Sequence, residues 1–321
     1  MVRFICFMVL AILCHVVSPN KYVGYFLFIA LLVANGLAWP MMGIESNMVQ
    51  YGDLPGYVYS DFFGRRPYSL SLFWFSIFWL LLAGLMGVMA VIFWPRGREL
   101  GWSFRFQQGE LRFDSRLRSV TALLALSWIF CGGWIFWNTE VRNPYRTRAQ
   151  DKLVQASYEK KYKSEEGKPQ PRVTDVRYDI ELYPGQRKLV MRGTQTIANV
   201  SDEPIDTVYI LTTDPFETEV QIEGATLAEE DEELGMLTYS ADPPMEPGAK
   251  RSMEFTVRYE SEGFENSLQV KQIVQDGTFF NNMIAPQIGY QPAVELKELE
   301  DREEHGLEGI AFTPLDPDNL E

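Results

Sequence analysis

The chain has 321 residues and a formal net charge of −14, unevenly spread. Residues 1–138 hold ten Lys/Arg against six Asp/Glu, whereas residues 139–321 hold nineteen against thirty-seven, and all eight Trp lie at or before Trp137. Such a division argues for two modules, and the acidic second half argues against nucleic acid as a partner, because phosphate binding needs clustered cations.

The first half reads as membrane helices. Residues 4–17 form an apolar run of about fourteen residues with Arg3 before it and His15 near its end. The sequence SPNK (18–21) lacks a small-x-small cleavage pattern, and another apolar run follows at once. A short transmembrane helix turning through 18–21 therefore fits better than a signal peptide. His15 reads as a packing or interfacial residue. Three further runs, 22–42, 69–94 and 119–137, carry no charge and are long enough for a hydrocarbon core of about 30 Å. In lipid the backbone must pair within the segment, so each is predicted helical. The three cysteines, Cys6, Cys14 and Cys131, all sit in these apolar stretches and offer neither a disulfide framework nor a zinc knuckle.

Orientation follows the cations. Residues 95–118 carry Arg96, Arg98, Arg105, Arg112, Arg116 and Arg118 against three acids. Short loops rich in Arg stay cytoplasmic, so the last helix runs outward, the loop 43–68 also faces outward, and the acidic half is expected outside the cytoplasm. Arg142, Arg146, Arg148 and Lys152, just after that helix, pull the other way.

Residues 139–172 read as a helical stalk, with a polar helix over 143–163, followed by a charged, Pro/Gly-containing linker, SEEGKPQPR (164–172). The period then changes to 2. Val176, Tyr178, Ile180 and Leu182 alternate with Arg177, Asp179 and Glu181, predicting a half-buried strand. Further strands are predicted over 188–200, 207–211, 236–239 and, from Met253, Phe255, Val257 and Tyr259, over 253–259. Turn signals about every ten residues predict an antiparallel sandwich or curved sheet over 173–321. The acidic run EEDEE (229–233) lacks the glycine and the spacing of a calcium loop and reads as a solvated hairpin tip.

Chemistry finds little purchase. The only histidines are His15 and His305, so a helix-borne zinc site with two His at i and i+4 cannot form. There is no Gly-x-Ser-x-Gly elbow and no phosphate loop. No catalytic, cofactor-binding or metal-ligating residue is assigned, and His305 reads as a surface residue.

Some stretches resemble a known family. RYDIELYPGQRKLVMRGTQTIANVSDEPIDTVYILT (177–212) and PMEPGAKRSMEFTVRYE (244–260) resemble the N-terminal β domain of the aminopeptidase N family of zinc metallopeptidases. GTFFNNMIAPQIGYQPAVELKELEDREEHGL (277–307) is similar to bacterial proteins that fuse an ABC-exporter-type permease to such a peptidase. YGDLPGYVYSDFFG (51–64) with FWFSIFWLLLAGLMGVMAVIFWPRG (73–97) looks like the last part of that permease. The resemblance implies a membrane-anchored, non-catalytic part of a larger fusion in a bacterial inner or plasma membrane: about four permease helices in 1–138 and an incomplete β domain in 173–321. That domain would buttress a zinc aminopeptidase domain whose Gly-x-Met-Glu-Asn and His-Glu-x-x-His motifs this sequence lacks. Zinc is expected only in that missing domain. The implied partners are the bilayer, an ATP-binding subunit and other permease segments. Two other readings are a permease component of a transport complex and a tethered β module that binds peptides or a protein by edge-strand pairing. In 277–291, Phe279 and Phe280 are expected to pack inward.

Overall fold

The computed structural model describes residues 1–59, 61, 64–94, 102–143, 146–266, 273–274, 277–278 and 280–309. They fall into two compact units, Met1–Tyr145 with Glu262–Val270, and Arg146–Ser261 with Lys271–Glu321. The expected boundary is thereby redrawn: a short stretch from deep inside the acidic half belongs to the helical unit.

The first unit contains α1 (Val2–Val17), α2 (Lys21–Met41), α3 (Ser69–Phe93), α4 (Trp102–Arg112) and α5 (Ser115–Phe136), the last continued by a π-helical segment, Trp137–Arg142. Among the described residues three helices are long and apolar enough to cross a membrane: Lys21–Met41, Arg66–Phe93 and Ser115–Arg142. With 16 residues, α1 reaches only about 24 Å at 1.5 Å per residue. The turn between α1 and α2 is built by local caps. Ser18 Oγ donates to the Cys14 carbonyl at 2.6 Å, and Asn20 Oδ1 accepts from the Val23 N–H at 3.0 Å. Gly24 lets the two helices close up, since a Cβ there would lie 3.1 Å from the His15 ring. His15 Nδ1 sits 2.8 Å from the Ala11 carbonyl, with the ring edge-on to Tyr25. This is a packing role, as the sequence suggested.

Between α3 and α5 the sequence indicated a loop; its residues 95–101 lie outside the described residues, and the remainder contains α4. Arg112 Nη1 donates to the carbonyls of Ile92 (3.0 Å) and Trp94 (2.6 Å) at the end of α3. A cation suits the negative end of a helix dipole. The core of this unit joins Cys6, Phe75, Phe78, Trp79, Cys131 and Ile135 to Phe264 of the returning segment. That segment is held by polar contacts as well. The Asn47 N–H and Nδ2 donate to Asn266 Oδ1 at 3.2 and 2.9 Å, Asn266 Nδ2 donates to Ser46 Oγ at 2.8 Å, and Asn143 Nδ2 donates to the Glu262 carbonyl at 3.0 Å.

The second unit opens with α6 (Arg148–Tyr162), whose N-terminus is a capping box: Gln150 N–H to Thr147 Oγ1 at 3.2 Å and Thr147 N–H to Gln150 Oε1 at 2.9 Å. Among the described residues ten strands follow: β1 (Arg172–Tyr183), β2 (Lys188–Ala198), β3 (Ile205–Leu211), β4 (Glu217–Ile222), β5 (Ala225–Asp231), β6 (Met236–Met245), β7 (Lys250–Glu260), β8 (Ile273–Val274), β9 (Gly277–Thr278) and β10 (Gln287–Ile288), then the short α7 (Leu299–Glu304). One sheet has the order β1-β2-β7-β4 and the other β10-β3-β6-β5; β8 pairs with β9. All described pairings are antiparallel. The two four-stranded sheets share one core, in which Leu189, Met191 and Phe255 from one meet Val208, Ile210 and Tyr239 from the other. The helical-then-β layout read from the sequence is therefore present. Buried Asn199 fixes the turn after β2: its Nδ2 donates to the Glu203 and Met245 carbonyls, and its Oδ1 accepts from the Ser201 N–H and hydroxyl.

The expected stalk is not a free-standing helix. The face of α6 carrying Ala156, Tyr158, Glu159 and Tyr162 is buried against the β unit. Tyr158 stacks on Tyr290 with ring centroids 5.1 Å apart, and its hydroxyl accepts from the Gln291 N–H at 2.8 Å. Glu159 forms a buried bidentate pair with Arg302, at 2.6 and 2.9 Å. The expected solvated linker is tied down too, since Gln170 accepts from the Tyr209 N–H and donates to the Thr207 carbonyl, both at 3.0 Å.

Candidate functional site

Of the residues weighed from the sequence, none converges on a reactive centre. His305 sits just past α7 with Nδ1 2.8 Å from the Asp301 carbonyl. Among the described residues no group of three or more His, Cys, Asp or Glu is placed to hold a metal ion. The acidic run 229–233 is not wholly a hairpin tip. Glu229 and Asp231 lie in β5, and Lys161 of α6 bridges both, at 2.9 and 2.7 Å. Burial pushes the Asp231 carboxyl up, but the Lys161 ammonium, the Leu234 N–H and the Tyr162 hydroxyl together hold it below its ordinary value. Glu295 follows the same pattern, raised by burial and carried lower by Lys163 and the Tyr290 hydroxyl. Phe280 packs against the shared core as expected; Phe279 lies outside the described residues.

The feature that stands out is β1. It is an edge strand of twelve residues whose free side pairs with no strand among the described residues. Its register with β2 aligns Val173 with Ile197, Val176 with Gln195, Tyr178 with Gly193, Ile180 with Met191 and Leu182 with Leu189. These β2 partners point into the core; Leu189 and Met191 are 0 and 1 % exposed. The apolar row of β1 thus extends the inner face of the sheet by one strand. Yet Val173, Val176, Ile180 and Leu182 remain 41, 53, 41 and 36 % exposed. The half-burial expected from the alternation is met only by Tyr178, which joins the core and lies edge-on to Phe255. A bulge between Val173 and Asp175 inserts one residue. Without it, Val173 would fall on the opposite face, because side chains alternate along a strand. The bulge therefore keeps five apolar side chains in one row.

Fully burying an aliphatic side chain is worth ~1.5–3 kcal/mol, so each half-covered member of this row leaves about 1 kcal/mol unrealised. Long edges are usually blunted by charge or bulges. Here the charges occupy the outer face only. On that face Glu181 is bound by Arg192 at 3.0 Å and Glu219 by Arg258 at 2.6 Å, whereas Asp175, Asp179 and Glu254 have no ion-pair partner among the described residues. A shallow cleft of about 440 Å³ runs over it, with Arg177, Asp179, Glu254 and Gln221 in its lining. Beneath the row, buried Gln195 donates from Nε2 to the Tyr178 hydroxyl at 2.9 Å, and its Oε1 has no hydrogen-bond partner. The alternating pattern did signal a strand; that its apolar side stays partly uncovered among the described residues depends on tertiary packing, for which sequence carries no local sign.

Compared with known proteins, the chain matches no family model and no curated sequence.

Proposed function

We propose that this protein is a membrane-anchored, non-catalytic holder: its helices fix it in the bilayer and its β unit seats another polypeptide. The observation that carries the reading is the apolar row of β1, which continues the inner face of the sheet and of which Val173, Val176, Ile180 and Leu182 stay only partly covered among the described residues. Three helices of spanning length and composition support the anchor. In the fusion that the sequence resembles, the seated polypeptide would be the zinc aminopeptidase domain. The transport-component reading draws only on the helical unit and gives the β1 row no part.

A photoreactive amino acid at Ile180 of the full chain, expressed in bacterial membranes, tests this. The expected result is crosslinking to one polypeptide, identified by mass spectrometry as carrying His-Glu-x-x-His, with no such product from Glu219, an exposed outer-face position on β4 at the other edge of the sheet. Crosslinks from Ile180 to lipid alone would overturn the proposal.

A further inference from the structure

We infer that the seated polypeptide enters as an extended strand added to the free edge of β1, with apolar residues alternating with basic ones. The inference rests on the holder reading and specifies its occupant. Among the described residues the free side of β1 pairs with no strand, so its row of backbone donors and acceptors meets the requirement for strand addition. Because side chains alternate, an added strand sends every second residue to the inner face, where Val176, Ile180 and Leu182 wait exposed. Its other residues stand beside Asp175, Arg177, Asp179 and Glu181. Glu181 already has Arg192, and the carboxylates of Asp175 and Asp179 remain unpaired among the described residues. Cross-strand neighbours of opposite charge stabilise a sheet and like charges weaken it. Lys or Arg opposite the two aspartates, with an acid or neutral residue opposite Arg177, is the complementary pattern.

A second copy meets this pattern less fully. Two β1 edges meeting antiparallel about Tyr178 would set Asp175 against Glu181 twice and Arg177 against Asp179 twice; meeting about Asp179 they would set that residue against itself and Arg177 against Glu181 twice, although Glu181 is already bound by Arg192. Either register mixes like-charge with opposite-charge pairs on the outer face. The requirement is met more fully by a strand of different sequence.

The test uses the full chain in detergent and a fluorescent peptide as long as β1, alternating Val/Ile with Lys and carrying one Glu to face Arg177. Binding is expected to weaken roughly tenfold when the same residues are scrambled so that alternation is lost, and by a similar factor when Glu replaces Lys, the loss expected for a few reversed cross-strand pairs. It is also expected to fall as salt rises. Val176→Lys/Ile180→Lys should abolish binding. Asp179→Lys should disfavour the Lys peptide and improve the Glu peptide. These side chains are exposed, and unchanged hydrogen exchange in β2 and β7 confirms that the variants are folded. Equal binding of the scrambled peptide, or indifference to the double variant, overturns strand addition. Equal binding of the Lys and Glu peptides overturns the basic alternation while leaving the holder reading intact. Disulfide-linked dimers of an Ile180→Cys chain that the peptide does not compete away would make the occupant a second copy and overturn the inference. Crosslinking at Ile180 to a partner that offers no alternating strand does so as well, and spares the holder reading.

Discussion

Gly193 shows what a single position demands. It lies on the inner face of β2, level with Tyr178 on β1 and Phe255 on β7. The Phe255 ring lies across it so closely that a Cβ at Gly193 would overlap the ring. Glycine inside a strand weakens it or marks close approach; here the approach is the reason. Gly193→Ala should therefore destabilise the β unit by ~1–3 kcal/mol, the usual cost of forcing atoms into a packed core. Because every Trp belongs to the other half of the chain, hydrogen exchange of β2 and β7 amides is the suitable readout. Unchanged protection would show that Phe255 swings aside freely. The glycine could be seen in the sequence as part of a Gly-Thr strand. Its mate was hidden, because a pairing sixty-two residues apart depends on register, which no local pattern specifies.

The same limit explains the largest revision, at the level of one helix. The sequence around α6 is polar, and its buried residues include two tyrosines and a glutamate, so composition describes a solvated stalk. Burial of those groups is tolerated only because each finds a partner: Tyr158 meets Gln291, Glu159 meets Arg302, and Tyr162 meets Asp231. All three partners lie far along the chain. By contrast, the capping box at Thr147 is local and was there to be read. The seat of α6 should respond to acid. The folded-state carboxyls of Asp231 and Glu295 lie below their ordinary values. They therefore contribute stability that is complete above the unfolded pKa, about 4, and is lost as pH falls through the folded values. Hydrogen exchange in α6 should rise in that acid window before the β2–β7 pairing loosens. Arg302→Met should produce the same selective release at neutral pH, since leaving Glu159 buried without its partner costs ~3–5 kcal/mol. Simultaneous loss of protection in α6 and β7 would count against a separable seat.

At the scale of the whole molecule, the apolar runs were legible because lipid leaves a chain few alternatives, and three of them are helices of spanning length. The return of residues 262–266 to the helical unit was not legible: Phe264 is one aromatic among many, and the Asn47–Asn266 contacts beside it join residues far apart in the chain. The orientation inferred from the arginines can be tested in a way that also tests the last span. Arg116 stands at the start of Ser115–Arg142, and Leu227, an exposed residue of β5, comes after it. If that helix crosses the bilayer once, the two positions lie on opposite sides. The native cysteines are buried, so single Cys substitutions report cleanly. A membrane-impermeant maleimide added to intact spheroplasts should label Leu227→Cys and spare Arg116→Cys until the membrane is permeabilised. The reverse pattern would place the β unit in the cytoplasm and leave the arginines of 95–118 outside, against the cation rule. Equal labelling of both would mean that Ser115–Arg142 does not span, and that its apolar length serves packing against other helices instead.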